Sequence, residues 1–198
     1  MQPLLQPTVI PPHVARARTE PYLRLSMSAR PQPHGEWLAR IVASWLGGDT
    51  PLPSYLGLGA EQWRAFMHHH FPEVEPYAPN RIGQPADARR NWERQALVEL
   101  FQTHASIDPR EAAWLARILS EACLGSEHLW RDLGLWSRQD LSNLLHLAFA
   151  PLAQANTRDM KWKKFFYRRL CEAEGVRLCT APSCESCADL EHCFGPET

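Results

Sequence analysis

Several features that would direct this sequence of 198 residues toward a common functional class are missing. No apolar run approaches the roughly 20 residues that a membrane-spanning helix needs, so no transmembrane segment is expected. The first residues, MQPLLQPTVIPPHVARARTEPY, lack the apolar stretch behind a basic start that marks a secretory signal. A cytoplasmic protein with reduced thiols is therefore expected. Charge of one sign is also lacking: the formal net charge is −1, which gives no global attraction to nucleic acid or anionic lipid. There is no glycine-rich phosphate loop and no G-x-S-x-G, and no histidine or carboxylate pattern that marks a nucleophile with its base. Enzyme classes gain no support, and a non-catalytic protein is expected. Strand-like alternation of apolar and polar residues is absent over any useful length, which excludes a sheet.

What is present is helical periodicity. Residues 1–34 contain seven prolines and no apolar repeat, so this part is expected to be a disordered or extended leader. From residue 35 the pattern changes. Trp37, Leu38, Ile41, Val42, Trp45 and Leu46 form one stripe at helical spacing, and Gly47-Gly48 ends it. A linker, DTPLPSYLGLG, follows. A second helix over 60–70 would bury Trp63, Phe66 and Met67 and stop at Pro72. After the proline-broken stretch YAPNRIGQPADARR, a helix over about 86–105 would bury Trp92, Leu97, Leu100 and Phe101.

Asp108-Pro109-Arg110-Glu111 reads as a helix start. Asp108 can accept the orphan N–H bonds, Pro109 needs no donor at the first position, and Glu111 sits where a capping box places its carboxylate. That helix carries Trp114, Leu115, Ile118, Leu119 and Ala122, with Gly125 placed to end it. Ser137 with Asp140 opens another, through Leu141, Leu144, Leu145 and Ala148. Thr157 is expected to cap the last, through Met160, Trp162, Phe165, Phe166 and Leu170 to Gly175. The expected fold is all-α: a leader (1–34), a single helical domain (35–175) and an irregular cysteine-rich loop (176–198).

Four of the six cysteines fall in that loop, in CTAPSCESCADLEHC, with spacing C-x4-C-x2-C-x5-C. A chain of this length builds a sufficient core without disulfides, so stapling has no motive. The Cys184/Cys187 pair aims two sulfurs at one point, and Cys179 and Cys193 need only fold back a short distance. Pro182 discourages helix between the first two. Four thiolates so close together point to bound metal. Zinc and iron–sulfur clusters both accept four thiolates, and the compact loop leaves both open, although paired C-x-x-C knuckles separated by a longer spacer would be more usual for zinc.

Upstream, residues 158–169 hold six cationic residues against one carboxylate, and from Glu172 onward the balance reverses, with six carboxylates and one arginine. A basic helix could offset the negative field of a thiolate-bound cluster or dock an acidic partner, or it could be a solvated face opposite its own acidic tail.

The run DMKWKKFFYRRLCEAEG (159–175), followed by LCTAPSCESCADLEHCFGPE (178–197), closely resembles the NifQ family of nitrogen-fixation proteins, as does ACLGSEHLWRDLGL (122–135). The C-x4-C-x2-C-x5-C signature is the family's metal-binding element and stands here without departure. The resemblance covers about the C-terminal two-fifths of the chain and is looser before it, resting on pieces such as HFP at residues 70–72. It implies a carrier, in which an iron–sulfur cluster containing molybdenum is held by Cys179, Cys184, Cys187 and Cys193. The molybdenum would pass to the nitrogenase iron protein working with the cofactor scaffold, for assembly of the iron–molybdenum cofactor. Soft sulfur ligands suit reduced molybdenum.

Other residues also bear on metal binding. Cys123 and His128 are candidates for an additional ligand, against a buried small residue and a helix-capping histidine; Cys171 could face the loop or the core. His68-His69-His70 are consecutive on a helix and point in different directions, so they cannot share one ion, and a structural or surface role is expected. The tryptophans sit at core spacing. The competing reading is an iron–sulfur or zinc protein that binds nucleic acid: C-x2-C-x5-C also resembles the cluster loop of helical DNA glycosylases, and lysines interleaved with Trp162, Phe165 and Tyr167 could grip phosphate and stack bases. The helix-hairpin-helix and catalytic lysine segment of those enzymes is not found, and the net charge is near neutral. A zinc tail on a helical interaction domain is the third possibility. If the cysteines serve only the metal, Cys184→Ser should abolish metal retention while the helical circular dichroism stays intact; collapse of the whole fold would contradict that separation.

Overall fold

A computed structural model describes residues 16–75 and 88–173, and within them every regular element is helical. The elements are α1 (Arg16–Ser28), α2 (Gly35–Gly47), α3 (Gly59–His70), α4 (Asn91–Thr103), α5 (Pro109–Cys123), α6 (Leu129–Leu133), α7 (Arg138–Ala148), α8 (Ala150–Gln154) and α9 (Trp162–Ala173), with short 3-10 turns at Ser54–Gly57 and Ala88–Arg90. One continuous apolar core joins them. At its centre lies α5, against α3, α4, α6 and the Ser54–Gly57 turn, while α1 packs along α2 and α9 rests on α4.

The periodic stripes behave as the spacing predicts in α2, α3, α5 and α7, whose expected apolar residues are buried or packed against the core. The capping expected at Ser137 holds in full and that at Asp108 in part. Asp108 accepts from Arg110 N and Glu111 N, and Ser137 with Asp140 forms a reciprocal capping box. Glu111, however, turns inward to the histidines described below.

Four expectations are corrected. The leader does not extend to residue 34, because α1 occupies much of it; residues 1–15 lie outside the described residues. Pro21 inside α1 removes a helical hydrogen bond, at a cost of about 3 kcal/mol. Against this, Tyr22 and Leu25 are buried, contributing about 1.5–3 kcal/mol for a fully buried large side chain. Tyr22 meets Trp136 at a ring distance of 4.6 Å and Arg18 pairs with Asp49 at 2.8 Å. Tertiary packing thus outweighs the proline.

Trp92 is 66% exposed instead of buried, because α4 turns Glu93, Leu97 and Phe101 to the core, one turn apart. The stretch expected as a linker packs Leu52, Leu56 and Leu58 into the core. Thr157 does not cap the last helix: Asn156 bonds both the N–H and the carbonyl of Met160, at 2.9 Å each, and α9 starts at Trp162. The helix end expected at Gly175 and the cysteine loop lie outside the described residues.

Two buried links fix α2 to α7 and to the turn after α6. Arg40 pairs with Asp140 at 2.6 Å, and Asp140 also receives Trp136 N and Ser137 N. Ser44 Oγ donates to Gly134 O at 2.6 Å, where Gly134 has a φ of 78°. A Cβ at Gly134 would collide with the Ser44 side chain as well as adopt a left-handed conformation. Gly134→Ala is therefore expected to destabilise the fold by about 2–5 kcal/mol, read by chemical denaturation; a loss under 1 kcal/mol would show that this approach is looser than described.

Candidate functional site

The stretch that leads into the cysteines is α9. Its apolar residues Trp162, Phe165 and Phe166 face inward, with Phe166 against Phe101 at 4.9 Å between ring centroids. Two polar anchors flank this apolar face. In the first, Arg90 donates to both oxygens of the buried Glu93 at 2.7 Å and to Leu124 O at 2.7 Å, and Tyr167 donates its hydroxyl to Glu93. Burial, then the neighbouring Cys123 and the bond to Glu93, push the Tyr167 pKa up, so it remains a donor. In the second, Lys163 Nζ donates to Gly125 O at 2.8 Å and to the buried Asp132 carboxylate, which also accepts Glu127 N. Burial pushes the Asp132 pKa up and the Lys163 charge opposes it. Lys163 is the group that keeps a carboxylate tolerable there.

These contacts explain why the sequences of 122–135 and 159–175 belong together: the carbonyls of Leu124 and Gly125 and the carboxylate of Asp132 receive side chains from α9 and from the turn before α4. Cys123 closes the same neighbourhood. It is buried among core residues, and burial pushes its pKa to about 12. His128 stands half-buried at the start of α6, and Cys171 half-buried on α9. Cys179, Cys184, Cys187 and Cys193 lie outside the described residues.

The cationic stretch is less free than its sequence suggests. Lys163 is engaged internally, Lys161 is buried, and Arg168 and Arg169 pair with Glu172 at 2.8 and 3.2 Å. Arg158, Arg168, Arg169 and Glu172 border a shallow pocket of about 200 Å3. Trp162, Phe165 and Tyr167 are only 4–6% exposed, so they cannot stack on bases. The nucleic-acid reading loses its main support.

A second constellation joins elements distant in sequence. His34 precedes α2, His70 ends α3 and Glu111 lies in the first turn of α5; all three side chains are buried. Glu111 Oε1 accepts from His69 Nε2 at 2.7 Å and Gln32 Nε2 at 3.0 Å. Gln32 Oε1 faces His70 Nδ1 at 3.0 Å, and Arg110 reaches His69 Nδ1 at 3.1 Å. Burial, reinforced by the neighbouring histidines, pushes the His70 pKa down to about 3; burial also lowers His34, against the pull of Glu111. Both are neutral imidazoles near pH 7. The sequence reading missed this grouping because its members are 36 and 41 positions apart, and Glu111 was explained as a cap.

The sequence profile of the NifQ family matches residues 37–195, a span that includes all four C-terminal cysteines. The chain belongs to the NifQ family. It is 41% identical to Protein NifQ of Azotobacter vinelandii over 172 residues, covering 81% of this chain and 88% of that relative. It is 39% identical to a Protein NifQ homolog of Sinorhizobium fredii, over 80% of this chain and 68% of the relative. With Protein NifQ of Klebsiella pneumoniae the identity is 33%, over 80% and 97%. No solved structure matches. Membership makes this a nitrogen-fixation protein, and among the described residues no helix is long and apolar enough to cross a membrane.

The α9 anchor can be tested by removing its cation. Lys163→Met leaves Asp132 buried and unpaired, and is expected to cost about 3–5 kcal/mol in urea unfolding, with a much smaller loss in the double variant that also carries Asp132→Asn. Strictly additive losses would contradict the pairing.

Proposed function

We propose that this NifQ-family chain is a cytoplasmic molybdenum carrier. Its cargo is a molybdenum-containing iron–sulfur cluster held by Cys179, Cys184, Cys187 and Cys193, and it donates molybdenum for assembly of the nitrogenase iron–molybdenum cofactor. The observation that carries the reading is the undisturbed C-x4-C-x2-C-x5-C signature lying inside the span shared with the family. Four closely spaced thiolates supply the soft, electron-rich ligands that reduced molybdenum and iron–sulfide favour.

The helical domain supports the reading by what it anchors. α9 is fixed on one face by aromatic packing and two buried polar networks, and the chain reaches the first of these cysteines six residues after α9. A carrier has to release its cargo, so an acceptor must be able to reach the thiolate ligands. The acceptor is the nitrogenase iron protein acting with the cofactor scaffold. The protein is a donor and not an enzyme.

Anaerobic purification followed by elemental analysis tests this. Iron, sulfide and molybdenum should be present together, and molybdenum should leave the protein when the iron protein and scaffold are added. Stoichiometric zinc with neither molybdenum nor sulfide would overturn the reading and leave a structural zinc tail.

A further inference from the structure

We propose that His34, His70 and Glu111 form a binding site for one divalent first-row transition ion, Zn2+ or Fe2+, separate from the C-terminal cysteines. One ring nitrogen of each histidine and one Glu111 carboxylate oxygen lie within 4.8 Å of one another. Ligand atoms around a single ion bound at about 2.0–2.2 Å stand closer than that, so only small side-chain movements close the set.

The hydrogen bonds around the cluster assign its free lone pairs. Gln32 Nε2 donates to Glu111, so Gln32 Oε1 is the atom that accepts from His70 Nδ1, and His70 Nε2 is left with an unshared pair. Arg110 donates to His69 Nδ1, so His69 must donate from Nε2 to Glu111 Oε1. Glu111 Oε1 thus has two donors, and Oε2 remains available. A histidine whose far nitrogen is held by an amide oxygen, and a carboxylate held by neighbouring N–H groups, are the usual outer supports of a metal site.

His34 supplies the independent observation. The residue is 4% exposed and its Nε2 lies 3.1 Å from Glu111 Oε2, yet that nitrogen makes no hydrogen bond of good geometry. A buried nitrogen left unmatched beside a carboxylate costs stability unless something else satisfies it. A cation between His34, His70 and Glu111 satisfies all three at once. Two neutral imidazoles and one carboxylate favour Zn2+ or Fe2+ over the hard Mg2+ and Ca2+, and the set contains none of the sulfur proposed to hold molybdenum. Bound there, the ion would clamp the start of α2, the end of α3 and the start of α5. His68, which is exposed, takes no part.

The test uses the full chain with all four C-terminal cysteines changed to serine, so that binding cannot be theirs. After chelator treatment, Zn2+ is titrated while melting is followed, and Co2+ serves as the spectroscopic probe. One equivalent should bind, Co2+ should give ligand-field bands without sulfur charge transfer, and Zn2+ at a hundredfold excess over Kd should raise Tm by about 5–10 °C. Glu111→Gln and His34→Gln in this background should each weaken binding at least a hundredfold and remove the thermal shift, while His68→Ala should change neither. The proposal is overturned if the serine background binds no Zn2+ or Co2+, or if the folded Glu111→Gln and His34→Gln chains bind as tightly as their parent. Should either variant fail to fold, the serine background alone decides by its stoichiometry and thermal shift. This outcome is independent of whether the cysteines carry molybdenum.

Discussion

The pairing of Lys163 with Asp132 is the interaction on which the placement of α9 depends. Either charge alone in that position would be strongly unfavourable, because burial penalises both and water does not replace a missing partner. Together with the Gly125 carbonyl they are satisfied, and the same geometry brings Tyr167 to Glu93 and Arg90. The apolar face of α9 provides affinity for α4, since aromatic burial contributes most of the free energy. The polar contacts choose one register, because a rotation or slide of the helix would leave several buried groups unmatched at once.

That arrangement separates two tasks. The helical core relies on apolar packing and on matched buried charges, notably Arg40 with Asp140, Arg90 with Glu93 and Lys163 with Asp132. None of these involves a C-terminal cysteine. On the proposed reading the C-terminal thiolates serve the metal, while these pairs hold the core together. Cys123 illustrates the contrast: among the described residues it is the cysteine packed inside the core, and burial raises its pKa.

How much the sequence revealed follows from the range of the signals involved. The helices of α2, α3, α5 and α7 were legible because their stripes and caps are local. α1 was not, since Pro21 argues against helix and only contacts with Trp136, Asp49 and α2 overcome it. Trp92 misled because size and apolarity suggest burial, whereas the inward position belongs to Glu93, a residue buried only because Arg90 and Tyr167 meet it. The basic stretch preceding the cysteines was visible as composition, but its engagement with Asp132 and Glu172 was not. Of the candidate sites, the cysteine motif is local and was read directly. The histidine and glutamate cluster depends on three helix ends converging, which no spacing encodes.

The proposed division between the helical core and the cysteine-bearing segment is tested most directly by ending the chain after Glu174 and measuring thermal melting and molybdenum content against the full-length protein. The account predicts a melting temperature within about 2 °C of the parent, corresponding to less than about 1 kcal/mol, with no molybdenum retained. Loss of cooperative unfolding, or molybdenum still bound to the shortened chain, would contradict it.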